Sequence, residues 1–420
     1  MDKFLVHGGV RLQGSVAVSG AKNASLALMP SCLLTNGVMT LNNTPNNRDL
    51  GTMSRLLGSM GVGMSIEGST LTLDSSVITS FEAPYEHVKQ MRASIYVLGP
   101  LVARYGEARV SLPGGCNFGP RPVDLHLKGL EKLGANIEVE GGYIVATCPR
   151  LQGTHFHFDI SSVGASVNVL SAAVLAKGHT TLTNVAIEPE VTNLATMLMQ
   201  MGAKIEGIGT TTLEIEGVDE LSPVSASTIP DRIEAATFML AAAMTRGDVT
   251  LTNVEPEHLD AVTQKLIDTG ATVEVGSDTI RVRMDTTPEA VDITASIYPG
   301  FPTDTQAQWA AYMLTAAGAS RIKDTIYPTR FGYVPELQRL GAQLETGDGY
   351  CVVKGGHRLT GATVMSSDLR ASASLVMAGL VAEGSTEILR VYHLDRGYEK
   401  LESKLGDLGA VIERHRTEEF

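Results

Sequence analysis

Apolar residues recur along the chain in two kinds of helix-like segment. Segments of the first kind have almost no polar face, as in Ala241-Ala242-Ala243, and each runs into a strand-like stretch near a glycine. A helix that is apolar on all sides is normally buried. We therefore expect six buried inner helices. They span residues 24–34, 93–104, 165–176, 235–245, 307–317 and 371–382 and end near Gly37, Gly106, Gly178, Gly247, Gly318 and Gly384.

Segments of the second kind carry more charge, as in 127–133, and end in Leu-x-x-x-Gly followed by a small apolar residue. The glycine is typical of the residue just past a helix, where a left-handed conformation costs a glycine least. A short strand-like stretch such as 136–139 follows each one. We expect these charged helices to form an outer layer. Their glycines are Gly61, Gly134, Gly202, Gly270, Gly341 and Gly409.

These glycines recur about every seventy residues, a period that is too long for a thin solenoid and that indicates six copies of one compact α/β unit. The predicted order within a unit is strand, inner helix, strand, outer helix, strand, strand. At 420 residues the chain is too long for a single typical core. The division that we expect is two domains of three units each.

The sixth unit is one strand short, because only residues 411–415 can form a strand after Gly409. The N-terminal stretches 4–6 and 15–19 could supply what is missing. We therefore predict that residues 1–21 join residues 230–420 in one domain and that residues 22–229 form the other. The second crossing between the domains should fall near residues 228–230.

The amino-acid composition and net charge exclude several classes of protein. An apolar content of 43% with 19% charged residues describes an ordered globular protein. There is no apolar run of the roughly 18–20 residues that a membrane span needs and no signal-peptide pattern, so we expect a cytoplasmic protein without a membrane partner. The net charge of −13 argues against nucleic acid or anionic lipid as a partner.

Common cofactor and metal motifs are missing from the sequence. The four cysteines are widely spaced and form no metal motif, and we expect no metal ion and no cofactor. The chain contains no Gly-x-x-x-x-Gly-Lys-Ser/Thr, no His-Glu-x-x-His and no Gly-x-Ser-x-Gly. These absences argue against a nucleoside-triphosphate hydrolase, a zinc hydrolase and an α/β-hydrolase.

Charged residues recur where the inner helices begin, among them Lys22, Arg92 and Arg370. If the inner helices of a domain lie side by side, their N-terminal N–H groups and these cations would together bind an anion. The alternative is that each cation is an isolated, solvated charge. The same helix starts also carry Asn23, Ser162, Val163, Gly164, Asp231, Asp304 and Asp368.

Three less repetitive segments contain candidates for chemistry. Cys116 lies in the Gly/Pro-rich loop 112–125 close to Arg121, and could be an acid or nucleophile or an inert thiol. Asp304 follows the Pro-rich segment 298–303. It could be a general base, but a helix N-cap is the role that the local sequence favours. Arg396, in segment 393–398, is either functional or solvated.

Taken together, the motifs at 19–24, 91–94, 112–125, 301–304 and 368–372 closely resemble the UDP-N-acetylglucosamine 1-carboxyvinyltransferase family of enolpyruvyl transferases, and the resemblance extends to residue 398. It implies an α/β fold of two inside-out domains, each of three repeated units with buried inner helices and outer sheets. It also implies transfer of the enolpyruvyl group of phosphoenolpyruvate to the 3′-hydroxyl of UDP-N-acetylglucosamine with release of phosphate. Both substrates are small molecules.

The resemblance implies roles for individual residues. Cys116 would protonate carbon 3 of phosphoenolpyruvate and can add to carbon 2, and Asp304 would take the proton of the 3′-hydroxyl. With Lys22 and Arg396 they form the expected catalytic set. Lys22, Arg92, Arg121, Arg370 and Arg396 would hold the two anionic groups of phosphoenolpyruvate, with Arg330 and Asp368 nearby. The uridine would contact Arg121, Pro122, Val123, Asp124 and Leu125, the diphosphate Ser162, Val163 and Gly164, and the sugar Asn23 and the backbone of Ile326.

One segment departs from the family pattern, since Ile160-Ser161 stands where some relatives have Lys-Val and offers no cation to the diphosphate. Two other functions stay open. The 5-enolpyruvylshikimate-3-phosphate synthases share the reaction type, but their Asn-Ala-Gly-Thr string does not occur in this chain. A catalytically silent, ligand-binding paralogue is the other, and the presence of Cys116, Asp304 and the cations argues against it.

Overall fold

The computed structural model describes residues 2–89, 91–112 and 123–416. The chain divides into two compact units. The N-terminal unit spans Gly20–Ile229, and the C-terminal unit joins the residues up to Ser19 to those from Pro230 onwards. Each unit is described by itself below.

The α-helices of the described residues alternate between the two predicted kinds, apart from the one-turn helix α3, which belongs to neither. Their bounds are α1 Lys22–Leu28, α2 Arg48–Ser59, α3 Tyr85–Val88, α4 Leu98–Tyr105, α5 Asp124–Lys132, α6 Val163–Ala173, α7 Pro189–Gln200, α8 Arg232–Met244, α9 Asp260–Asp268, α10 Gln306–Met313, α11 Val334–Arg339, α12 Leu369–Val381 and α13 Leu401–Asp407. Short 3-10 segments extend or precede several of them, at Met29–Leu34, Arg92–Val97, Pro256–Leu259, Thr303–Thr305 and Val391–Arg396.

The strands are short and most have five residues. They are β1 Asp2–His7, β2 Gln13–Ala17, β3 Val38–Asn42, β4 Gly63–Glu67, β5 Thr70–Asp74, β6 Glu82–Ala83, β7 Glu107–Ser111, β8 Asn136–Glu140, β9 Tyr143–Thr147, β10 His155–His157, β11 His179–Thr183, β12 Lys204–Glu206, β13 Thr212–Glu216, β14 Ser225–Ser227, β15 Asp248–Thr252, β16 Thr272–Val275, β17 Thr279–Arg283, β18 Ile293–Ala295, β19 Ala319–Asp324, β20 Gln343–Gly347, β21 Tyr350–Lys354, β22 Thr363–Met365, β23 Ser385–Leu389 and β24 Val411–Arg416.

The strands form four-stranded sheets with one shared topology, which confirms the six predicted repeats. The N-terminal unit contains β14-β3-β5-β4, β6-β7-β9-β8 and β10-β11-β13-β12, and the C-terminal unit contains β2-β15-β17-β16, β18-β19-β21-β20 and β22-β23-β1-β24. In each sheet the first two strands are parallel and the others antiparallel. The α/β fold with repeated sheet units is the one that the sequence predicts.

The N-terminal strands complete two different sheets. Strand β1 supplies the missing strand of the sixth repeat, with Phe4 opposite Arg414, as predicted. The prediction that residues 15–19 also complete the sixth repeat is wrong. Strand β2 instead opens the fourth sheet, where Val16 pairs with Leu251 in parallel. At both crossings the chain forms the first strand of a sheet just before it leaves a unit. Strand β2 opens the sheet of β15 before the chain enters the N-terminal unit, and β14 opens the sheet of β3 before the chain returns.

The buried interior lies between the sheets and the inner helices. Residues on α6, α8, α10 and α12 are buried on every side, as expected for helices without a polar face. Strands present alternate residues to this core, for example Met39 and Leu41 of β3.

The six Leu-x-x-x-Gly glycines all adopt the predicted left-handed conformation, with φ between 89° and 108°. No helix within the described part of the chain is both long and apolar enough to cross a membrane.

Candidate active site

Asp304 is the centre of a charged cluster in the C-terminal unit. Its Oδ1 accepts a hydrogen bond of 2.7 Å from Nη1 of Arg330, and its Oδ2 accepts from Nη2 and Nε of Arg370 at 3.1 and 3.3 Å. The expectation that Asp304 is a helix N-cap is wrong, because neither the 3-10 turn at Thr303–Thr305 nor α10 has a side-chain cap. The residues next to Asp304 in sequence favour an N-cap, but its actual partners, Arg330 and Arg370, are distant in sequence and could not be identified locally.

True aspartate N-caps begin the other two inner helices of this unit. Asp231 Oδ1 accepts hydrogen bonds from the N–H groups of Ile233 and Glu234 at the start of α8. Asp368 Oδ1 accepts from the N–H groups of Arg370 and Ala371 at the start of α12. Asp368 therefore holds the backbone of Arg370, and its Oδ2 accepts from the hydroxyl of Ser367 at 3.3 Å.

Both arginines of the cluster are buried, since only 3% of the Arg370 side chain and 9% of the Arg330 side chain are exposed. Burial is the largest single effect and disfavours a charged guanidinium, but the neighbouring groups together outweigh it and raise the pKa of each arginine, with Asp304 contributing most among them. Nη1 of Arg370 is buried and makes no hydrogen bond of good geometry among the described residues, although the Tyr398 hydroxyl lies beside the guanidinium. The cluster is thus permanently cationic and retains an unused donor, which suits a site for an anion.

The turn that carries Arg330 is fixed by Asp324, a buried residue that sequence reasoning did not identify. Its Oδ1 accepts hydrogen bonds from the N–H groups of Ile326 and Tyr327, both at 2.8 Å, and its Oδ2 accepts from the hydroxyl of Thr303 at 2.6 Å. Because the N–H of Ile326 is occupied, a backbone contact of this residue with the sugar would use its carbonyl group.

Arg396 ends the 3-10 segment Val391–Arg396 and is half-buried. Arg414 of β24 anchors this segment, since its guanidinium donates to both carboxylate oxygens of Asp395 at 3.0 and 2.7 Å and to Glu402 at 2.8 Å. The last strand of the chain therefore fixes the residue next to Arg396.

In the N-terminal unit, Lys22 is the first residue of α1. Its Nζ lies 3.5 Å from Oδ2 of Asp49, and both side chains are largely buried. Asp49 belongs to the first turn of α2, which Asn47 caps by accepting a hydrogen bond from the N–H of Leu50. Asn23 follows Lys22 and is half-buried. Asp49 is a further residue that the sequence did not single out.

A second group of predicted residues lies around His126 of α5. Burial and the nearby charge of Arg92 lower the pKa of His126 to about 4, so that this imidazole is neutral. Asn168 donates from Nδ2 to its Nδ1 at 3.1 Å and to the carbonyl of Ile95 at 3.0 Å. A Cβ on Gly164 would lie 3.3 Å from the ring. His126 therefore connects Arg92 to the start of α6.

The residues predicted for the nucleotide lie at helix starts. Ser162 caps α6 by accepting from the N–H of Ala165 at 3.4 Å, and Val163 and Gly164 open the helix with first-turn N–H groups that have no carbonyl partner within it. Val123, Asp124 and Leu125 begin α5. Ile160 is 71% exposed.

Three predicted residues, Cys116, Arg121 and Pro122, lie outside the described residues. The other cysteines, Cys32, Cys148 and Cys351, are buried. Burial raises the pKa of Cys32 to about 12 and that of Cys351 to about 11, so both are thiols at neutral pH. Across residues 2–89, 91–112 and 123–416, no group of three His, Cys, Asp or Glu residues is arranged to hold a metal ion.

Comparisons with known proteins match this architecture along the whole chain. The family model described as EPSP synthase (3-phosphoshikimate 1-carboxyvinyltransferase) matches residues 6–405. A UDP-N-acetylglucosamine 1-carboxyvinyltransferase of Pelodictyon phaeoclathratiforme is 53% identical, with 100% of both chains covered. One of Desulfosudis oleivorans is 54% identical, with 99% of both covered.

Solved structures agree with the sequence comparisons. The enolpyruvyl transferase NikO from Streptomyces tendae has a TM-score of 0.90 at 27% identity and 98% coverage of both chains. EPSP synthase from Acinetobacter baumannii has a TM-score of 0.77 at 20% identity, with 99% of this chain and 100% of that chain covered, and shares the fold. The chain belongs to the EPSP synthase family of enolpyruvyl transferases and, within it, to the UDP-N-acetylglucosamine 1-carboxyvinyltransferases.

Proposed function

We propose that the protein transfers the enolpyruvyl group of phosphoenolpyruvate to the 3′-hydroxyl of UDP-N-acetylglucosamine and releases phosphate, the first committed step of peptidoglycan synthesis. The observation that carries the proposal is the cluster of Arg330, Asp304 and Arg370. It brings a carboxylate that can accept a proton from an alcohol together with two guanidinium groups that can bind an anion. The chain's relatives support the choice of substrates.

The two anionic groups of phosphoenolpyruvate are the proposed ligands of the arginines. Guanidinium groups bind phosphate and carboxylate in a two-point geometry that lysine cannot reproduce. Arg370 has an unused donor, Nη1, and Arg330 stands on the other side of the same carboxylate. Lys22, Arg92, Arg121 and Arg396 are the further cations proposed for these anions.

The proposed chemistry has three steps. Cys116 donates a proton to carbon 3 of phosphoenolpyruvate, which makes carbon 2 electrophilic. The 3′-oxygen of the sugar then bonds to carbon 2 while Asp304 accepts the hydroxyl proton. Finally the Cys116 thiolate takes back a proton from carbon 3 of the tetrahedral adduct, the double bond forms again, the bond from carbon 2 to the phosphate oxygen breaks, and Asp304 gives its proton to the departing phosphate. Atoms and charges balance, and no cofactor or metal ion takes part.

Asp304 must lose hydrogen bonds from Arg330 and Arg370 before it can act as a general base. A carboxylate paired with two guanidinium groups is a weak base, because both neighbours stabilise its charged form. If phosphoenolpyruvate takes over hydrogen bonds of Arg370 and Arg330, the carboxylate regains the basicity that proton abstraction from an alcohol requires. The same arginines would thus bind one substrate and control the base that activates the other.

Most of the residues proposed for the nucleotide sugar belong to the N-terminal unit, and Ile326 belongs to the C-terminal unit. Residues 121–125 are proposed for the uridine and the first turn of α6, Ser162–Gly164, for the diphosphate, with Asn23 and Ile326 on the sugar side. Ile160 supplies no cation, so the diphosphate would depend on the helix N-terminus and its backbone N–H groups. Lys128 is not an unpaired cation that could substitute for a lysine at position 160, because its Nζ lies 3.8 Å from Asp124 and 3.6 Å from Asp159.

The setting of the enzyme is part of the proposal. Its two proposed enolpyruvyl transferase domains are residues 22–229 and residues 1–21 with 230–420; the compact units differ from them only in that Gly20 and Ala21 fall in the N-terminal unit. Its partners are small-molecule substrates rather than nucleic acid or membrane lipid, consistent with the net charge of −13. The proposed compartment is the cytoplasm, where phosphoenolpyruvate and UDP-sugars occur.

An assay of phosphate release tests the proposal against its alternatives. Phosphoenolpyruvate is supplied with either UDP-N-acetylglucosamine or shikimate 3-phosphate. We expect release only with the UDP-sugar. Release only with shikimate 3-phosphate would assign the other branch of the family, and no release with either acceptor would indicate a silent paralogue.

A further inference from the structure

A buried polar network lies directly behind Asp304 and Arg370, and the proposed chemistry does not use it. Thr237 of α8, Gln308 of α10 and Tyr398 meet there. All three are buried, Gln308 completely. Burying three polar side chains among inner helices costs stability unless their hydrogen bonds are made, so their arrangement calls for a reason.

The hydrogen atoms of this network can be assigned in one direction. The Thr237 hydroxyl donates to the carbonyl of Ile233 at 2.8 Å, so Tyr398 must be the donor in its 2.8 Å contact with Thr237. One N–H of the Gln308 amide then points at the hydroxyl oxygens of Thr237 and Tyr398, each 3.2 Å from Nε2. The second N–H of that amide donates to the backbone carbonyl of Asp304 at 3.0 Å.

The network contacts both partners of the ion pair. Gln308 holds the backbone of Asp304, four residues earlier. The ring centroid of Tyr398 lies 5.3 Å from the guanidinium carbon of Arg370. Gly397 allows this approach, because a Cβ there would lie 2.5 Å from Leu369 at the start of α12.

The orientation of the Gln308 amide leaves its oxygen without a hydrogen bond from any described residue, which costs stability. Its Oε1 is buried with no hydrogen-bond partner among the described residues, which is unfavourable for a buried polar atom. Turning the amide over would place that oxygen against the carbonyl oxygen of Asp304, which cannot donate a hydrogen bond. The orientation therefore serves the backbone of Asp304 rather than Gln308 itself.

We propose that Tyr398 and Gln308 are positioning residues that hold Arg370 and Asp304 in the geometry that binds phosphoenolpyruvate. The inference rests on the proposed function of the site. Neither residue needs to touch a substrate. Tyr398 limits the movement of the guanidinium, and Gln308 fixes the residue that the guanidinium binds. Removing the Tyr398 hydroxyl should release the ring and the amide together and loosen both partners.

The test compares two buried tyrosines of the same unit. Tyr398→Phe removes the hydroxyl next to Arg370. Tyr312→Phe is the matched control, because the Tyr312 hydroxyl also bonds a buried threonine, Thr269, at 2.7 Å, but takes no part in the network. Steady-state kinetics give the KM of each substrate, and thermal unfolding gives the stability.

Tyr398→Phe should raise the KM for phosphoenolpyruvate about tenfold, the effect of losing roughly 1.4 kcal/mol of interaction. The KM for UDP-N-acetylglucosamine should stay unchanged. Tyr312→Phe should leave both KM values unchanged at a similar loss of unfolding temperature. If both variants bind phosphoenolpyruvate equally well, Tyr398 has only a structural role and the inference is wrong.

A second variant and a binding measurement cover the cases in which Tyr398→Phe does not fold or the protein does not turn over. If Tyr398→Phe does not fold, Thr237→Val removes the acceptor of the Tyr398 hydroxyl and should shift the KM for phosphoenolpyruvate in the same direction, and an unchanged value contradicts the inference. Wild-type protein without turnover would refute the proposed function separately. Calorimetric titration of phosphoenolpyruvate into wild type and both tyrosine variants then measures the same contrast without catalysis.

Discussion

Arg370 and Asp304 are 66 residues apart in sequence, yet the arginine donates two hydrogen bonds to one oxygen of the aspartate, at 3.1 and 3.3 Å. The contact joins the first turn of α12 to the turn that precedes α10. It exists because inner helices of successive repeats pack side by side with their N-terminal ends together. The repeat that generates the fold thus also assembles the proposed site.

The two-point geometry of Arg370 predicts that a lysine cannot replace it. Arg370→Lys keeps the charge but loses the paired donors, so the KM for phosphoenolpyruvate should rise about tenfold or more. The KM for UDP-N-acetylglucosamine should change little. Arg281→Lys is the control, since Arg281 also donates two hydrogen bonds to an aspartate, one to each oxygen of Asp248, but on the surface and at 2.8 Å for each bond. Equal effects of both substitutions, or a loss mainly of nucleotide affinity, would contradict the assignment.

Asp304→Asn should leave UDP-N-acetylglucosamine bound but lower kcat by about 10²–10⁴, the usual contribution of a general base. Two buried guanidinium groups also lose their counter-ion, so the unfolding temperature should fall. Stopped-flow phosphate release and calorimetric titration of the nucleotide measure the two effects separately. Asp285→Asn, at an exposed pair with Arg11 and Arg283, is the control. A variant that turns over within a few-fold of wild type would exclude Asp304 as the base.

Cys116 is predicted to be the only cysteine that takes part in chemistry. By the family resemblance, fosfomycin should alkylate it, whereas Cys32 and Cys351 are buried thiols with raised pKa values. Peptide mass spectrometry after treatment should place the adduct on Cys116. Cys116→Ser should lose turnover, and Cys116→Asp should keep turnover and resist alkylation, because a carboxylic acid can donate the proton. An adduct on Cys32, Cys148 or Cys351 alone would exclude the proposed acid.

His126 should make stability depend on pH. Its pKa falls from 6.5 in the unfolded chain to about 4 in the folded protein, first because of burial and then because of Arg92. Between these values the unfolded chain binds more protons, so stability decreases as the pH falls, by up to about 3 kcal/mol. His126→Asn should weaken this dependence, and His415→Asn, on an exposed residue, should not. Unfolding temperatures across this pH range decide the matter, and parallel curves for wild type and His126→Asn would contradict the shifted pKa.

The fold could be predicted from the sequence because its signals are local and repeated. Six left-handed glycines and six helices without a polar face mark every repeat. The placement of β2 could not be predicted, since both β1 and β2 precede α1 and only the pairing with Leu251 distinguishes their sheets.

The proposed site is recognisable in the sequence only where the family motifs reach. The cations and Asp304 are recognisable by resemblance, but the local sequence alone suggested an N-cap for Asp304. Asp49, Asp324 and Gln308 act through partners in other elements and carry no motif of their own. Their roles follow from tertiary contacts, such as that between Lys22 and Asp49, that no single segment of sequence contains.

The most direct test of the central claim is the mass of the product formed when both acceptors compete. The protein is incubated with phosphoenolpyruvate and an equimolar mixture of UDP-N-acetylglucosamine and shikimate 3-phosphate, and the mixture is analysed by mass spectrometry. We predict that the UDP-sugar alone gains the mass of one enolpyruvyl group, in step with the phosphate released. An enolpyruvyl group on shikimate 3-phosphate, or phosphate release with an unchanged UDP-sugar, would contradict it.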